Sequence, residues 1–160
     1  SLISYSFFVL RKKIRVYHPL DTVVRLLDLM GIDRANYTYL DRLEEGEAEP
    51  VSFTPLQVEH VENMTCFGYI VSAPSGRIYF SGDAKGIPDA VLTGFRKGEI
   101  DRIYQDTSIE ASDHPTHGTL RDLENIFPPE TRGRVFCMHL DTDYREILRE
   151  KGFGVVKTLD

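Results

Sequence analysis

The sequence predicts the α/β (α+β) class, mixed sheets covered by helices, with metal-binding side chains gathered at strand ends. Three observations predict it. From Val51 to Phe80 short apolar runs rich in β-branched and aromatic residues follow one another across turn signals, the pattern of an antiparallel meander. After Asp89 strand-like and helix-like segments alternate. Three separate strands also finish near His60, Asp83 and His139, residue types that hold divalent metals.

Taken in order, residues 1–10 are almost wholly apolar and run into Arg11-Lys12-Lys13, as expected of a buried first helix with cations at its C-terminal end. Ile14-Arg15-Val16-Tyr17 alternates and stops at His18-Pro19, a short strand whose final His carries no chemistry. Asp21 is placed to cap a helix whose stripe of Val23, Val24, Leu26, Leu27 and Met30, read as core, ends at Gly31. A strand over 36–40 precedes the acidic run 44–49, which reads as a solvated turn.

Strands follow over 53–60, 66–71 and 77–80, the last two joined by a turn at Pro74-Ser75-Gly76. Residues 89–95 space their apolar side chains as a helix, and the strand 102–105 runs into Asp106-Thr107. Beyond a polar loop at 112–119 come a helix over 120–127 stopped by Pro128-Pro129, a strand over 135–138, a helix over 144–151 ended by Gly152 and a last strand over 155–158. The sheet is expected to be largely antiparallel.

Bulk properties narrow the functional classes. A chain of 160 residues, 41% hydrophobic and 28% charged, fits one domain with a sizeable core and excludes a disordered one. Its net charge of -6 provides no general basic footprint for nucleic acid, although a local patch is compatible with it. No apolar window has the length of a membrane span, and the start lacks a secretory cleavage pattern. Cys66 and Cys137 lie in apolar runs and form no C-x-x-C pair, so they read as reduced core thiols of a cytoplasmic protein.

The chemistry centres on Arg77–Pro88. Ile78-Tyr79-Phe80 is a strand that breaks into Ser81-Gly82-Asp83, where glycine permits a sharp turn and the carboxylate emerges at the strand's end. Taken alone, Asp83 is better read as the cap of the next helix. His60 and His139, closing two other apolar strands, turn that single residue into a candidate 2-His-1-carboxylate set.

Val58-Glu59-His60 with Phe67-Gly68-Tyr69-Ile70-Val71, then Phe80-Ser81-Gly82-Asp83, His117-Gly118-Thr119 and Phe136-Cys137-Met138-His139 together resemble the metallo-β-lactamase-fold hydrolases, most of all their ribonuclease Z and phosphodiesterase branch. The resemblance implies an incomplete αββα sandwich. It further implies that His60, Asp83 and His139 are ligands of a two-metal centre, Asp83 bridging the ions, with zinc the expected metal and manganese the alternative. His117 would protonate a leaving oxygen, oriented by Asp113 or Asp106, and His114 is its rival because the Asp-to-His spacing is one residue longer than the family's.

The substrate class implied is a phosphodiester or related small ester. Acyl or thioester hydrolysis on the same fold is a further option. The family's His-x-His-x-Asp-His loop does not occur in the sequence, so residues 1–160 resemble the C-terminal two thirds of one such domain. From this follow three expectations: the chain alone is inactive and holds at most one weak ion, a homo-oligomer or companion N-terminal fragment covers its open face, and the parent protein is the hydrolase. The alternative is a degenerate, non-catalytic interaction or structural module of the same fold.

Overall fold

The computed structural model describes residues 1–40, 51–109 and 116–156. They fall into two compact units, 1–46 and 47–160.

In the first unit, helix α1 (Leu2–Phe8) is capped by the Ser1 hydroxyl, which accepts the Ser4 N–H. The expected buried helix is instead largely exposed: with two turns only, one stripe faces inward, so Ile3 and Ser6 are buried while Leu2, Tyr5 and Phe8 face solvent. Strands β1 (Ile14–Tyr17) and β2 (Tyr37–Leu40) pair in parallel, which requires the crossover that helix α2 (Thr22–Leu29) supplies. Asp21 occupies the cap position of α2 without making a side-chain cap bond, because its own backbone is already helical. The stripe read as core buries Leu27 alone, against Ile3, Ile32 and Tyr37, and leaves Leu26 and Met30 exposed.

The second unit is built on a seven-stranded mixed sheet. Strands β3 (Ser52–Val58), β4 (Cys66–Ala73) and β5 (Gly76–Phe80) form the expected antiparallel meander. Beyond β5, strands β6 (Arg102–Ser108), β8 (Val135–Met138) and β9 (Gly154–Val155) add in parallel, and the short β7 (Gly118–Thr119) pairs with the end of β6. Four of these six pairings are therefore parallel, which corrects the expectation of a largely antiparallel sheet. The cause is the helical crossovers α3 (Asp89–Arg96), α4 (Leu120–Ile126), α5 (Pro129–Arg132) and α6 (Arg145–Glu150), since each returns the chain to the same end of the sheet.

Tyr79, Val91, Phe95, Ile103, Leu123, Val135 and Leu148 are the centre of the core these elements share. Arg132 fastens its far end, donating to the carbonyls of Phe127, Lys151 and Glu124 with its guanidinium over the Phe153 ring. Cys137 is buried and Cys66 half-buried, both as free thiols, and burial pushes the Cys137 thiol up to about 11.

Strand direction positions everything that follows. β3 is antiparallel to β4, β4 to β5, and β5, β6 and β8 are mutually parallel, so β3, β5, β6 and β8 all run the same way. Their C-terminal ends consequently lie along one edge of the sheet, where open α/β sheets build their sites.

Candidate metal centre

Each of those four strand ends delivers a polar group. Past β5, Ser81 is fully buried and donates its N–H to the Tyr104 carbonyl, while its hydroxyl donates to Gly82 O and accepts the Asp106 N–H at 2.9 Å. Gly82 then turns with φ +60°, and a Cβ there would lie 3.2 Å from the Phe67 carbonyl, so glycine is the residue this turn takes. Asp83 follows, with Oδ1 3.2 Å from His139 Nδ1. Pro88, not Asp83, stands at the cap of α3, which disposes of the helix-cap reading.

β6 ends in three consecutive buried polar residues, Gln105, Asp106 and Thr107. The Asp106 carboxylate is fully buried; its Oδ2 accepts the Ala84 N–H at 3.1 Å and lies 2.5 Å from His117 Nδ1. Among the described residues its Oδ1 is buried without a hydrogen-bond partner, 3.5 Å from His139 Nδ1. Gln105 donates to the carbonyls of Ala84 and Asp106, and Gly118 N–H also reaches Ala84 O, at 3.3 Å. Tyr144 braces the same strand end by donating its hydroxyl to Thr107 O at 2.6 Å, and burial raises that phenol's pKa.

His139 follows β8 with φ +53°, in the left-handed region that costs a non-glycine residue about 1–2 kcal/mol. Such strain concentrates where a side chain must be aimed. His60, two residues beyond β3, has Nδ1 2.9 Å from the Thr116 carbonyl. A carbonyl only accepts, so Nδ1 carries the hydrogen and Nε2 keeps its lone pair, the tautomer of a metal ligand. The His117 ring stands edge-on to both His60 and His139, each at 5.3 Å between centroids.

The structure thus brings Asp83 and His139 into direct contact and links His60 to them through His117. Of the two carboxylates considered for orienting His117, Asp106 is the one that meets it; Asp113 and the rival His114 lie outside the described residues. Asp106 is more central than its sequence context suggested, and Gln105, Ser81 and Tyr144 were not anticipated. The available signal was the run of polar residues where β6 should have stayed apolar.

Whether the site suits a metal follows from its donors. Asp106, His117 and His139 each place one ligand atom within 4.8 Å of the others. Donors on one tetrahedral zinc ion stand about 3.4 Å apart, so the widest of these separations would close as an ion binds. The unpaired buried Asp106 Oδ1 is a negative end without a donor, which a cation would satisfy. Mixed imidazole and carboxylate donors suit zinc or manganese.

Comparison with known proteins identifies the fold. A diphosphatase of the PhnP family shares 21% identity at a TM-score of 0.65 over 96% of this chain and 59% of its own. The metallo-β-lactamase-fold protein YhfI from Bacillus subtilis shares 12% at 0.64 over 98% and 67%, and the short form of human tRNase Z 16% at 0.52 over 99% and 69%. The chain therefore spans about three fifths to two thirds of the length of these structures, and what they share with it is the metallo-β-lactamase fold. Among curated proteins none matches. A family model described as Anti-Pycsar protein Apyc1 matches residues 31–158, most of the chain. The chain belongs to the Anti-Pycsar protein Apyc1 family.

Proposed function

We propose that the protein carrying this chain is a metal-dependent hydrolase of phosphodiesters or related small esters, with zinc as its ion and manganese as substitute. The observation that carries the reading is the buried, unpartnered Oδ1 of Asp106 facing His139, with the Asp83 carboxylate on the same imidazole. In this reading His60, Asp83 and His139 would hold the metal. A bound ion would supply an acidified water and a clamp for the ester oxygens. His117 is the proton donor: its Nδ1 is held by Asp106, which fixes the tautomer and leaves Nε2 to exchange a proton with a leaving oxygen. The names of the PhnP-family diphosphatase and of tRNase Z, both describing cleavage at phosphorus, support the substrate class.

A second reading has one observation in its favour, the mutual proximity of Asp106, His117 and His139, which would make His117 a ligand rather than the acid. Zinc affinity separates the two: loss in Asp83→Asn with retention in His117→Asn supports the first reading, and the reverse supports the second.

The remaining donors would come from a His-x-His-x-Asp-His segment on companion polypeptide, and that polypeptide or a second copy of the chain would cover the open face. Both units would then belong to one domain in a cytoplasmic protein, with the chain by itself inactive and holding one weak ion. Exposure of Leu2 (74%) and Leu29 (87%) supports a covering partner, and no helix among the described residues is long and apolar enough to cross a membrane. The test is metal analysis with hydrolysis of bis(p-nitrophenyl) phosphate, for the chain alone and joined to that segment. Chelator-sensitive turnover by the joined protein, lost in Asp83→Ala, is expected. A joined protein that remains metal-free and inert supports the non-catalytic module instead.

A further inference from the structure

Beside the imidazole cluster, on the side of β9, runs a groove of about 600 Å³ that the hydrolytic reading leaves unused. Its lining includes Met138, Leu140, Val155 and Val156 together with His139. His139 is therefore common to both, since its Nδ1 lies 3.2 Å from Asp83 and the residue also lines the groove. A group bonded to a phosphoryl centre held at His139 would have this groove beside it. The volume lies within the roughly 300–1,000 Å³ typical of small-molecule sites, far more than one phosphoryl group occupies.

Charge selects among occupants. Arg145 lines the groove, but its guanidinium is engaged by Asp143 through two hydrogen bonds, Nε to Oδ1 at 2.8 Å and Nη2 to Oδ2 at 2.7 Å. An anionic substituent would have to displace a carboxylate already held in bidentate geometry. Apart from His139 and the Asp143–Arg145 pair, the groove is lined by apolar residues and Thr142.

We infer that this groove is a substituent subsite of the proposed hydrolase, taking an uncharged apolar or aromatic group attached to the phosphoryl centre in preference to a second anionic group. The inference rests on the hydrolytic reading for its location, while its selectivity is measurable by binding alone.

The test uses the full protein loaded with zinc and the probes phenylphosphonate, methylphosphonate and phosphonoacetate, followed by the methyl signals of Leu140, Val155 and Val156. Phenylphosphonate is expected to bind about tenfold more tightly than methylphosphonate, from burial of one ring, and to shift those methyls, with phosphonoacetate weakest. Val156→Asp, at a position already 40% exposed and so tolerant of a polar side chain, should reduce the phenyl preference to about twofold or less. Equal affinities, a preference for phosphonoacetate, or ring-induced shifts confined to other methyls would overturn the subsite. Selective binding without turnover of any phosphodiester would strike the hydrolytic reading and leave the subsite standing. Turnover with unselective binding would do the opposite.

Discussion

Replacing Gly118 by alanine inserts one methyl group at the most crowded point of the site. A Cβ there would lie 2.9 Å from the Lys85 carbonyl and 3.2 Å from that of Asp106, with Gln105 Nε2 at 3.5 Å. The two closest atoms are backbone, and neither can retreat. Lys85 is tied by its N–H to Glu59 O at 2.7 Å, and the Asp106 carbonyl accepts from Gln105. Overpacking of this kind costs about 1–3 kcal/mol, which for a chain of this size lowers Tm by about 2–4 °C per kcal/mol. Relief requires residues 117–119 to move off β6, which lengthens the His117–Asp106 contact. Calorimetry should therefore show Tm lower by about 2–12 °C, and the ring signals of His117 should shift as its contact with Asp106 lengthens. An unchanged Tm with those signals in place would refute the packing argument.

Tyr144→Phe removes the hydroxyl that donates to Thr107 O at 2.6 Å and should cost about 1–2 kcal/mol in urea unfolding, because a buried carbonyl loses its donor. Arg132→Ala abandons three carbonyls and the Phe153 ring, so a loss of about 2–3 kcal/mol is expected in the same assay; Arg132→Lys should recover less than half, since an ammonium lacks the planar fork. Hydrogen bonds from Arg145 hold the Asp143 carboxyl down to about 2 against an ordinary 3.8. A depressed carboxyl contributes stability that is full above the ordinary value and fades as pH falls from about 3.8 toward 2. Carboxyl-carbon NMR should find that midpoint in the native protein and its return toward 3.8 in Arg145→Ala.

Much of the second unit was legible because each signal was local. The meander from β3 to β5 and the helices after Asp89 follow from periodicity and turn residues, and Asp83 and His139 stood out because a polar residue ending an apolar run needs a reason. The capping box of α4 was equally available: Thr119 accepts the Asp122 N–H and Asp122 accepts from Thr119, a T-x-x-D pattern hidden inside what read as a polar loop. The importance of Asp106 was not local. It depends on β6 lying beside β8, with Asp106 opposite Met138, so that Asp106 meets the imidazole of His139, a residue distant in sequence. The stripe of α2 misled for the converse reason: spacing shows which residues can share a face, whereas burial requires something packed against it. The acidic run 44–49, the Asp113–His114 pair and the end of the last predicted strand lie outside the described residues.

The peptide groups of Ala84 have a mechanical consequence. Its N–H is held by the Asp106 carboxylate and its C=O by both Gln105 and Gly118, so one residue rivets the segments that bear Asp83, Asp106 and His117. No one of these segments can swing outward without unfastening the others, and local opening becomes a shared event. Amide hydrogen exchange would register it as a single clock, with the N–H groups of Ala84 and Gly118 exchanging at matched rates and the mouth of the site breathing as one body.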